Sequence, residues 1–445
     1  MDLVSDPIPK LIRKIAFPAS VGFFFNTMYN VVDTYFAGLI STEGLAALSL
    51  SFPIFFILIA VGTGVSQGAT ALISNALGSN DHDEAFRYFF QSISFGVFLA
   101  IGLTVLGLLI TPSLFELLGA QDDYLKLCTD YMNLILFGTV FILLQSIINA
   151  ALNAQGNTTT FRNVLIAGFL LNLLLDPWFM FGGFGLPAMG IKGLALATIV
   201  VQLMGGIYLI VAVKKSKLWR HQHWEELIPK RRHFIDIARQ GFPASINMMT
   251  VALGIFVITW FISRFSTAGV AAYGIATRVE QIILLPTIGL NIAVLTLTGQ
   301  NNGAQRWDRV REIWIKCTSY GTIMMLIGGL LLFFLCEPLM GFFTADEQVI
   351  RIGTDYLRIA AITLCSYVIL FQTVFMLQGL KRPMYAIFIG VYRQILAPCL
   401  VFYLLAFVLD WKLFGIWWGI FIVTWSAAIV TWIYGRWTLK QIQSQ

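Results

Sequence analysis

Hydrophobic residues along this chain form long runs that are separated by short polar stretches. Twelve such runs recur from one end to the other. Each can cross a hydrocarbon layer of about 30 Å as an α-helix, because a helix rises about 1.5 Å per residue. The pattern predicts an all-α, polytopic membrane protein with twelve transmembrane helices. The predicted spans are residues 15–39, 44–74, 88–111, 128–154, 161–182, 190–212, 238–263, 268–298, 314–336, 350–378, 383–408 and 414–437.

Composition agrees with lipid as the solvent of this chain. Of the 445 residues, 58% are hydrophobic and only 12% are charged, whereas a soluble domain has roughly 25% charged residues. The N-terminal stretch MDLVSDPIPKLIRKIAFPAS has no small-residue cleavage site of a signal peptide. We therefore expect the first span to stay in the mature protein.

Lysine and arginine are distributed unevenly between alternate loops. Segments on the side of the N-terminus hold 21 of the 29 basic residues, and the loops on the other side hold five. Because positively charged loops stay on the cytoplasmic side, we predict that both termini face the cytoplasm, and we expect a bacterial inner membrane. The pI near 9.0 then reflects topology, and it gives no indication of nucleic acid as a partner.

The two halves of the chain repeat short motifs at a constant spacing. Residues 17–20 (FPAS) recur at 242–245, and Gly78 recurs as Gly303, each 225 positions later. Six spans per copy is an even number, so both copies enter the membrane in the same direction. Transporters with such parallel repeats bind substrate near the repeat interface and rock their halves. We predict a V-shaped pair of pseudo-symmetric six-helix lobes, with the N-lobe at 1–212, a cytoplasmic connector at 213–237 and the C-lobe at 238–445.

Three acidic residues lie inside predicted spans, at Asp33, Asp176 and Glu280. A carboxylate at membrane depth costs several kcal/mol unless it is paired, hydrated or protonated, so each is a candidate functional residue. Asp33 and Asp176, with Asn172 one turn before the latter, reach a similar depth in the outer half of the N-lobe. Two neighbouring carboxyls in a low-dielectric site favour a shared proton, and the same three residues are also candidate ligands of Na⁺.

Polar residues at helical spacing accompany these acids. A stripe in the first span shares a helix face with Asp33 and is predicted to line a substrate cavity. Its members are Asn26, Tyr29 and Asn30. A second stripe, in the fourth span, is predicted to face the N-lobe cavity, with hydrogen bonding between helices as the alternative. Its members are Gln145, Asn149 and Asn153.

Two further features of the spans predict moving or binding parts. Pro18 lacks a backbone donor, so it either makes the first span bend easily or marks the beginning of that helix. Arg278 and Glu280 are two residues apart in the eighth span, on nearly opposite helix faces, and they cannot neutralise each other. Each needs another partner, and together they are a possible C-lobe polar site.

The residues that metal binding, ATP hydrolysis or other enzyme chemistry would need are not found in the expected patterns. All four histidines fall in predicted cytoplasmic loops, and the five cysteines show neither a CxxC motif nor metal spacing. We therefore expect no metal or other cofactor apart from a coupling ion. No phosphate-binding Walker motif is present in the sequence, so ATP is not the direct energy source and we expect no enzyme activity. A passive channel would not need a two-lobe repeat with isolated buried acids.

The chain resembles the multidrug and toxic compound extrusion (MATE) family over its whole length. The resemblance rests on FPAS at 17–20, the NTMYNVVD run at 26–33, LNAQG at 152–156, the pair Asn172 and Asp176, and the twelve spans in a 6+6 repeat. It is similar to the DinF branch, because the membrane acids cluster in the N-lobe. The resemblance implies a multidrug antiporter that exchanges H⁺ or Na⁺ for organic, mostly cationic, drugs or dyes by alternating access, as a monomer among membrane lipids.

The resemblance also assigns roles to residues. It implies that Asp33 is the principal coupling acid and that Asn172, Asp176 and Thr198 complete the cation site. We expect the proton rather than Na⁺, because apolar neighbours of a carboxyl favour its protonated form. The alternative is a lipid-linked oligosaccharide flippase of the same superfamily, which would be expected to carry more cations in its cavity than the three arginines found within spans.

Overall fold

The computed structural model describes residues 2–40, 42–183, 185–219 and 224–443. Within these ranges twelve helices are long and apolar enough to cross a membrane, which confirms the predicted all-α class. These ranges contain no β-strand, and Gly183 and Leu186 form only an isolated bridge. The first six spans are α1 (Ile8–Ile40), α2 (Thr42–Gly78), α3 (His82–Leu117), α4 (Asp122–Ala154), α5 (Thr159–Phe181) and α6 (Ile191–Lys214).

The second six spans follow a short 3₁₀-helix at Trp224–Leu227. They are α7 (Arg231–Ser263), α8 (Thr267–Gly303), α9 (Trp307–Phe343), α10 (Glu347–Gly379), the eleventh span with α11 (Tyr385–Val391) and α12 (Ala397–Phe402), and α13 (Lys412–Gln443). Two π-helical segments, Tyr392–Leu396 and Tyr403–Val408, interrupt the eleventh span. Such wide turns are rare and are often found at functional sites.

The helices form two compact units, and the division between them falls inside α1 and α7. The N-terminal unit is Val21–Ser245, and the C-terminal unit is Ile246–Gln445 together with Met1–Ser20. This division differs from the predicted boundaries at 212 and 238. The beginning of α1 belongs to the C-terminal unit, and the connector with the beginning of α7 belongs to the N-terminal unit.

Two close helix contacts explain where the division falls. In the N-terminal unit, a Cβ at Gly64 of α2 would lie 2.1 Å from Ser245 Oγ of α7. In the C-terminal unit, a Cβ at Gly289 of α8 would lie 2.3 Å from Ser20 Oγ of α1, and that hydroxyl donates to the Pro286 carbonyl at 3.0 Å. Gly64 and Gly289 are separated by 225 positions, as are Ser20 and Ser245. The sequence repeat therefore corresponds to an equivalent helix contact in each unit.

The first turns of α1 are anchored in the core of the C-terminal unit. Leu11 and Ile15 are fully buried in a cluster that includes Trp314 of α9. Before the helix begins, the Leu3 carbonyl accepts a hydrogen bond of 3.1 Å from the side-chain amide of Asn301. Because both aliphatic side chains pack wholly within this cluster, this end of α1 is a structural part of the C-terminal unit.

The connector is bound to the first half of α3. Gln91 is fully buried and donates from Nε2 to the carbonyls of Glu226 at 2.6 Å and Ile228 at 2.8 Å. Its Oε1 accepts from the Lys230 backbone N–H at 2.8 Å. Since α7 begins at Arg231, the last part of the predicted connector is helical. Residues 220–223 of the predicted connector lie outside the described ranges.

Candidate cation site in the N-terminal unit

One amide joins the two acids of the N-terminal unit. Asn172 lies one helical turn before Asp176, so both side chains leave α5 on the same face. The Asn172 Nδ2 group donates to Asp176 Oδ2 at 2.8 Å and also to Asp33 Oδ1 of α1. Asn172 and Asp176 are fully buried, and Asp33 is partly exposed. The structure thus brings three of the four predicted coupling residues into direct contact.

Several polar atoms at this point are buried without a hydrogen-bond partner among the described residues. They are Asn172 Oδ1, Asp176 Oδ1 and Tyr29 Oη. Within the described ranges, no lysine or arginine acts on the charge of Asp33 or Asp176. Asn172 Oδ1 is an amide oxygen and can only accept a hydrogen bond. Asp176 Oδ1 is also restricted to accepting when its carboxyl is ionised, so acceptors outnumber donors. An unmet buried acceptor costs about 1–3 kcal/mol, which a proton or a small cation would remove.

Thr198 and Tyr131 lie next to this cluster. Thr198 of α6 is buried, donates to the Leu194 carbonyl at 3.2 Å, and lies beside the Tyr29 hydroxyl. Tyr131 of α4 is buried close enough to both carboxyls to interact with their charge. Tyr131 is absent from the predicted site, because a single tyrosine in an apolar helix forms no polar stripe. Only its position relative to the acids reveals it.

The polar stripe of α1 joins the site only in part. Tyr29 is buried, whereas Asn30 is exposed and its side-chain amide donates to the Asn26 carbonyl at 3.1 Å. Asn26 itself is partly exposed. Tyr29 therefore belongs to the acid cluster, whereas Asn26 and Asn30 remain at least partly exposed. Their role in a substrate cavity stays a prediction.

The three amides of α4 are all buried. Gln145 donates to the Gln202 carbonyl of α6 at 3.4 Å, and it packs against Gly205, where a Cβ would lie 2.1 Å from Gln145 Nε2. For Gln145 the structure therefore favours the alternative, a hydrogen bond between helices, over a cavity position. Asn149 Oδ1 is buried without a partner in the described part of the chain, and Asn153 is buried as well.

Pro18 lies ten residues inside α1, far from the first turn of the helix. The alternative that Pro18 marks the beginning of the helix is therefore wrong. The division between the two units follows directly after Ser20, so the proline lies close to the point where α1 passes from one unit to the other. A hinge at Pro18 stays a prediction.

The possible C-lobe polar site is divided between two faces of α8. Glu280 is buried and accepts a hydrogen bond of 2.7 Å at Oε2 from the Tyr356 hydroxyl of α10. Arg278 is exposed, in agreement with the predicted opposite faces. The partner of Glu280 is therefore a tyrosine from another helix. Tyr356 lies 225 positions after Tyr131, so the two units place equivalent tyrosines at their acids.

The family model MatE matches this chain twice, over residues 18–178 and again over 243–404. Each match begins at a proline of the repeated FPAS motif, and together they cover more than half of the chain. The chain belongs to the MATE family. The second match of the MATE model begins 225 positions after the first, at the spacing of the sequence repeat, and each match covers most of the first five spans of one copy.

Two curated relatives span most of this MATE chain. The "FAD transporter" of Shewanella oneidensis is 27% identical over 402 residues, which cover 88% of this chain and 87% of the relative. The "Probable multidrug resistance protein NorM" of Thermotoga maritima is 28% identical over 352 residues, 78% of this chain and 74% of the relative. The first is named as a transporter and the second as a multidrug resistance protein, whereas the assignment to the DinF branch stays a prediction.

Solved structures share the MATE fold. The chain in "Crystal structure of MATE in complex with MaL6" superposes with a TM-score of 0.92 over 100% of this chain and 99% of that chain, at 23% identity. At this identity the likeness concerns the fold alone. Together with the twelve described spans, it establishes this MATE chain as a multi-pass membrane protein.

Proposed function

We propose that this MATE protein is a multidrug antiporter that exports organic compounds in exchange for protons, with Asp33 and Asp176 as the proton-carrying pair. The multidrug names of MATE relatives such as the Thermotoga maritima protein support export of drugs. The exported compounds would be lipophilic and mostly cationic, as the family resemblance implies. Alternating access of the two halves of the repeat would move them.

The observation that carries this proposal is the single donor between two carboxyls. Asn172 Nδ2 donates to both Asp33 and Asp176, while Asn172 Oδ1 and Asp176 Oδ1 have no partner in the described chain. Two ionised carboxyls cannot both remain there without a positive charge, because charge repulsion and burial act together. A proton that arrives from one side and leaves to the other would satisfy this requirement.

The same geometry favours the proton over Na⁺. A proton needs one carboxyl oxygen and an acceptor nearby, and the pair of carboxyls supplies both. A sodium ion would need about five or six oxygens around one point. Asn30 is exposed, so beyond the oxygens of Asp33, Asp176 and Asn172 a sodium ion would need further ligands from a hydroxyl such as Thr198 or from water.

The location follows from the same proposal. With most basic residues on the side of the termini, the termini would face the cytoplasm of a bacterial inner membrane. Asp33 lies seven residues before the end of α1 and Asp176 five before the end of α5. Both acids would then lie in the outer half of the membrane, where they can exchange protons with the outside.

The test is transport in liposomes that contain the purified protein and a fluorescent dye. A pH gradient or a Na⁺ gradient is imposed separately, with the membrane potential clamped. We expect dye movement under the pH gradient and none under Na⁺ at equal pH. Movement driven only by Na⁺ would contradict proton coupling, and no movement under either gradient would contradict antiport.

A matched pair of variants assigns the transport to the site. Asp176→Asn should remove movement driven by the pH gradient, because the amide keeps the shape but cannot carry a proton. Asp123→Asn changes an exposed aspartate in the first turn of α4 and should leave transport unchanged. Equal transport by the two variants would contradict the assignment to Asp176.

A second candidate substrate class is a flavin nucleotide, as the name of the Shewanella oneidensis relative suggests for that protein. The observation in its favour is that the three arginines inside the spans predicted from the sequence, Arg278, Arg358 and Arg393, all belong to the C-terminal unit. Export of flavin nucleotides from cells that produce the protein, compared with cells that do not, would test this candidate.

A further inference from the structure

Arg393 lies near the middle of the eleventh span. It is about three residues from the midpoint of Tyr385–Val408, or about 5 Å along the helix axis. An arginine at this depth costs several kcal/mol, and it therefore normally faces a water-filled cavity or a partner. Arg393 as a whole residue is partly exposed in the C-terminal unit.

Two aromatic rings hold the guanidinium from one side. The Arg393 Cζ atom lies 5.5 Å from the ring centroids of both Tyr367 and Phe371. These two residues are one turn apart on α10, and their rings are nearly parallel, at 12° and with centroids 6.3 Å apart. Both rings are partly exposed. The two rings and the arginine therefore form one partly exposed group that combines aromatic faces with a positive charge.

The hydrogen-bond donors of Arg393 are not used by the protein. No carboxylate lies within ion-pair distance of the guanidinium, and the guanidinium donates no hydrogen bond to another side chain, in the described part of the chain. Glu280 is near enough to interact with its charge, but Glu280 Oε2 is bonded to Tyr356 at 2.7 Å. The carboxyl of Glu280 thus offsets the charge of Arg393 without a direct hydrogen bond. The N–H donors of the guanidinium remain available.

The backbone around Arg393 fixes the direction of the side chain. Arg393 lies in the π-helical segment Tyr392–Leu396. The next residue, Gln394, is buried and packs against α7 at Gly254, where a Cβ would lie 2.0 Å from Gln394 Oε1. Because Gln394 is wedged against α7, Arg393 is held toward α10. A wide turn with one residue fixed and its neighbour accessible is suited to binding.

We propose that Arg393 recognises the phosphate or carboxylate of an aromatic substrate whose ring system lies against Tyr367 and Phe371. This inference deepens the proposed export function, on which it rests, by adding aromatic organic anions to the substrates. A guanidinium pairs with phosphate and carboxylate through two parallel hydrogen bonds. Aromatic faces add stacking with a flat ligand. Glu280 offsets the charge of Arg393 when the site is empty.

The test compares two ligands that differ by one phosphate. FMN and riboflavin share the same ring system, and only FMN carries the phosphate. Binding of each to the purified full-length protein is measured by equilibrium dialysis. We expect FMN to bind at least about tenfold more tightly than riboflavin, as a hydrogen-bonded charge pair predicts. Equal binding of the two ligands would overturn the inference.

Three variants locate the difference. Arg393→Gln should bring the ratio of the two affinities to about one, and Arg393→Lys should retain part of it because the charge remains. Arg264→Gln is the matched control, because the Arg264 guanidinium also lies over an aromatic ring, Trp260, at 4.5 Å, but beyond the end of α7. It should keep the wild-type ratio. A wild-type ratio in Arg393→Gln would mean that Arg393 serves only to balance Glu280.

Ethidium separates failure of this inference from failure of the export function. If wild-type protein exports ethidium under a pH gradient but binds the two flavins equally, only the inference on Arg393 is wrong. If it binds FMN selectively but moves no ligand, the export function is wrong and the site stands. Thermal unfolding in detergent, compared with the wild type, shows whether Arg393→Gln and Arg393→Lys are folded.

Discussion

The two units of this MATE protein each bury an acid next to a tyrosine of equivalent position, but the chemistry of the two sites differs. In the N-terminal unit, Asp33 and Asp176 share the one donor of Asn172. In the C-terminal unit, Glu280 accepts a hydrogen bond from Tyr356. The N-terminal site therefore has more acceptors than donors, whereas the C-terminal site supplies a donor to its acid.

This difference shows what the repeat preserves and what it leaves free. The equivalent contacts of Gly64 and Gly289 show that helix packing is conserved between the two copies. The charge of each copy depends on a few side chains that are not repeated, such as Asp33 and Arg393. We infer that one copy binds the coupling ion and the other contributes to substrate recognition.

The largest effect is expected from a substitution that removes a carboxyl of the N-terminal site. Asp33→Asn should lower active efflux by about 100-fold or more. The amide cannot carry a proton, so export would no longer be coupled to proton entry. Efflux of a dye is measured from energised cells that contain equal amounts of each protein. Wild-type efflux by Asp33→Asn would mean that the N-terminal carboxyls do not couple transport.

The next effect tests whether the two copies share their helix packing. Gly64→Ala and Gly289→Ala should each lower the free energy of unfolding by about 1–3 kcal/mol, because the added methyl group overpacks a tight contact. Gly102→Ala and Gly274→Ala are controls, as no atom lies within 4 Å of their added Cβ. Thermal unfolding in detergent compares the four variants. Melting temperatures of Gly64→Ala and Gly289→Ala equal to those of the two controls would contradict the tight contacts, and a loss in only one of them would contradict their equivalence.

A smaller effect compares the two tyrosines. Tyr356→Phe removes the donor to Glu280 and should cost about 1–3 kcal/mol of folding free energy. Tyr131→Phe removes a hydroxyl that makes no hydrogen bond within the described residues. The loss of folding free energy should therefore be smaller for this variant. Chemical unfolding of both variants measures the difference. A larger loss for Tyr131→Phe would reverse the contrast between the two sites.

The smallest expected effect concerns transport after a change at Glu280. Glu280→Gln keeps an acceptor for Tyr356 and should change efflux of a cationic dye by no more than about threefold, since efflux depends on the N-terminal acids. The measurement is the same cell assay as for Asp33. A loss as large as that of Asp33→Asn would show that both units carry the coupling ion.

Much of the fold could be predicted from the sequence because lipid imposes a simple pattern. Each apolar run had to form a helix, since only helices and closed barrels satisfy the backbone in hydrocarbon. The constant spacing of FPAS indicated the repeat. The boundaries of the units could not be predicted, because the packing of Gly64 on Ser245 depends on contacts between helices that are far apart in sequence.

The candidate site was accessible to sequence analysis only in part. Asp33, Asn172 and Asp176 were indicated by their polarity within apolar spans, and the structure brings them together. Tyr131 and Tyr356 were not indicated, because tyrosine is common in membrane helices and its role depends on a neighbour. Gln145 shows the opposite case, in which a polar residue at helical spacing bonds another helix.

The central claim is that the N-terminal acids hold a proton that substrate binding displaces, and it can be measured directly. Purified protein is placed in weakly buffered detergent solution near neutral pH with a pH indicator, and a dye that the wild type exports is added to saturation. We predict release of about one proton per molecule by the wild type and none by Asp33→Asn. No release by the wild type, or equal release by both proteins, would contradict the account.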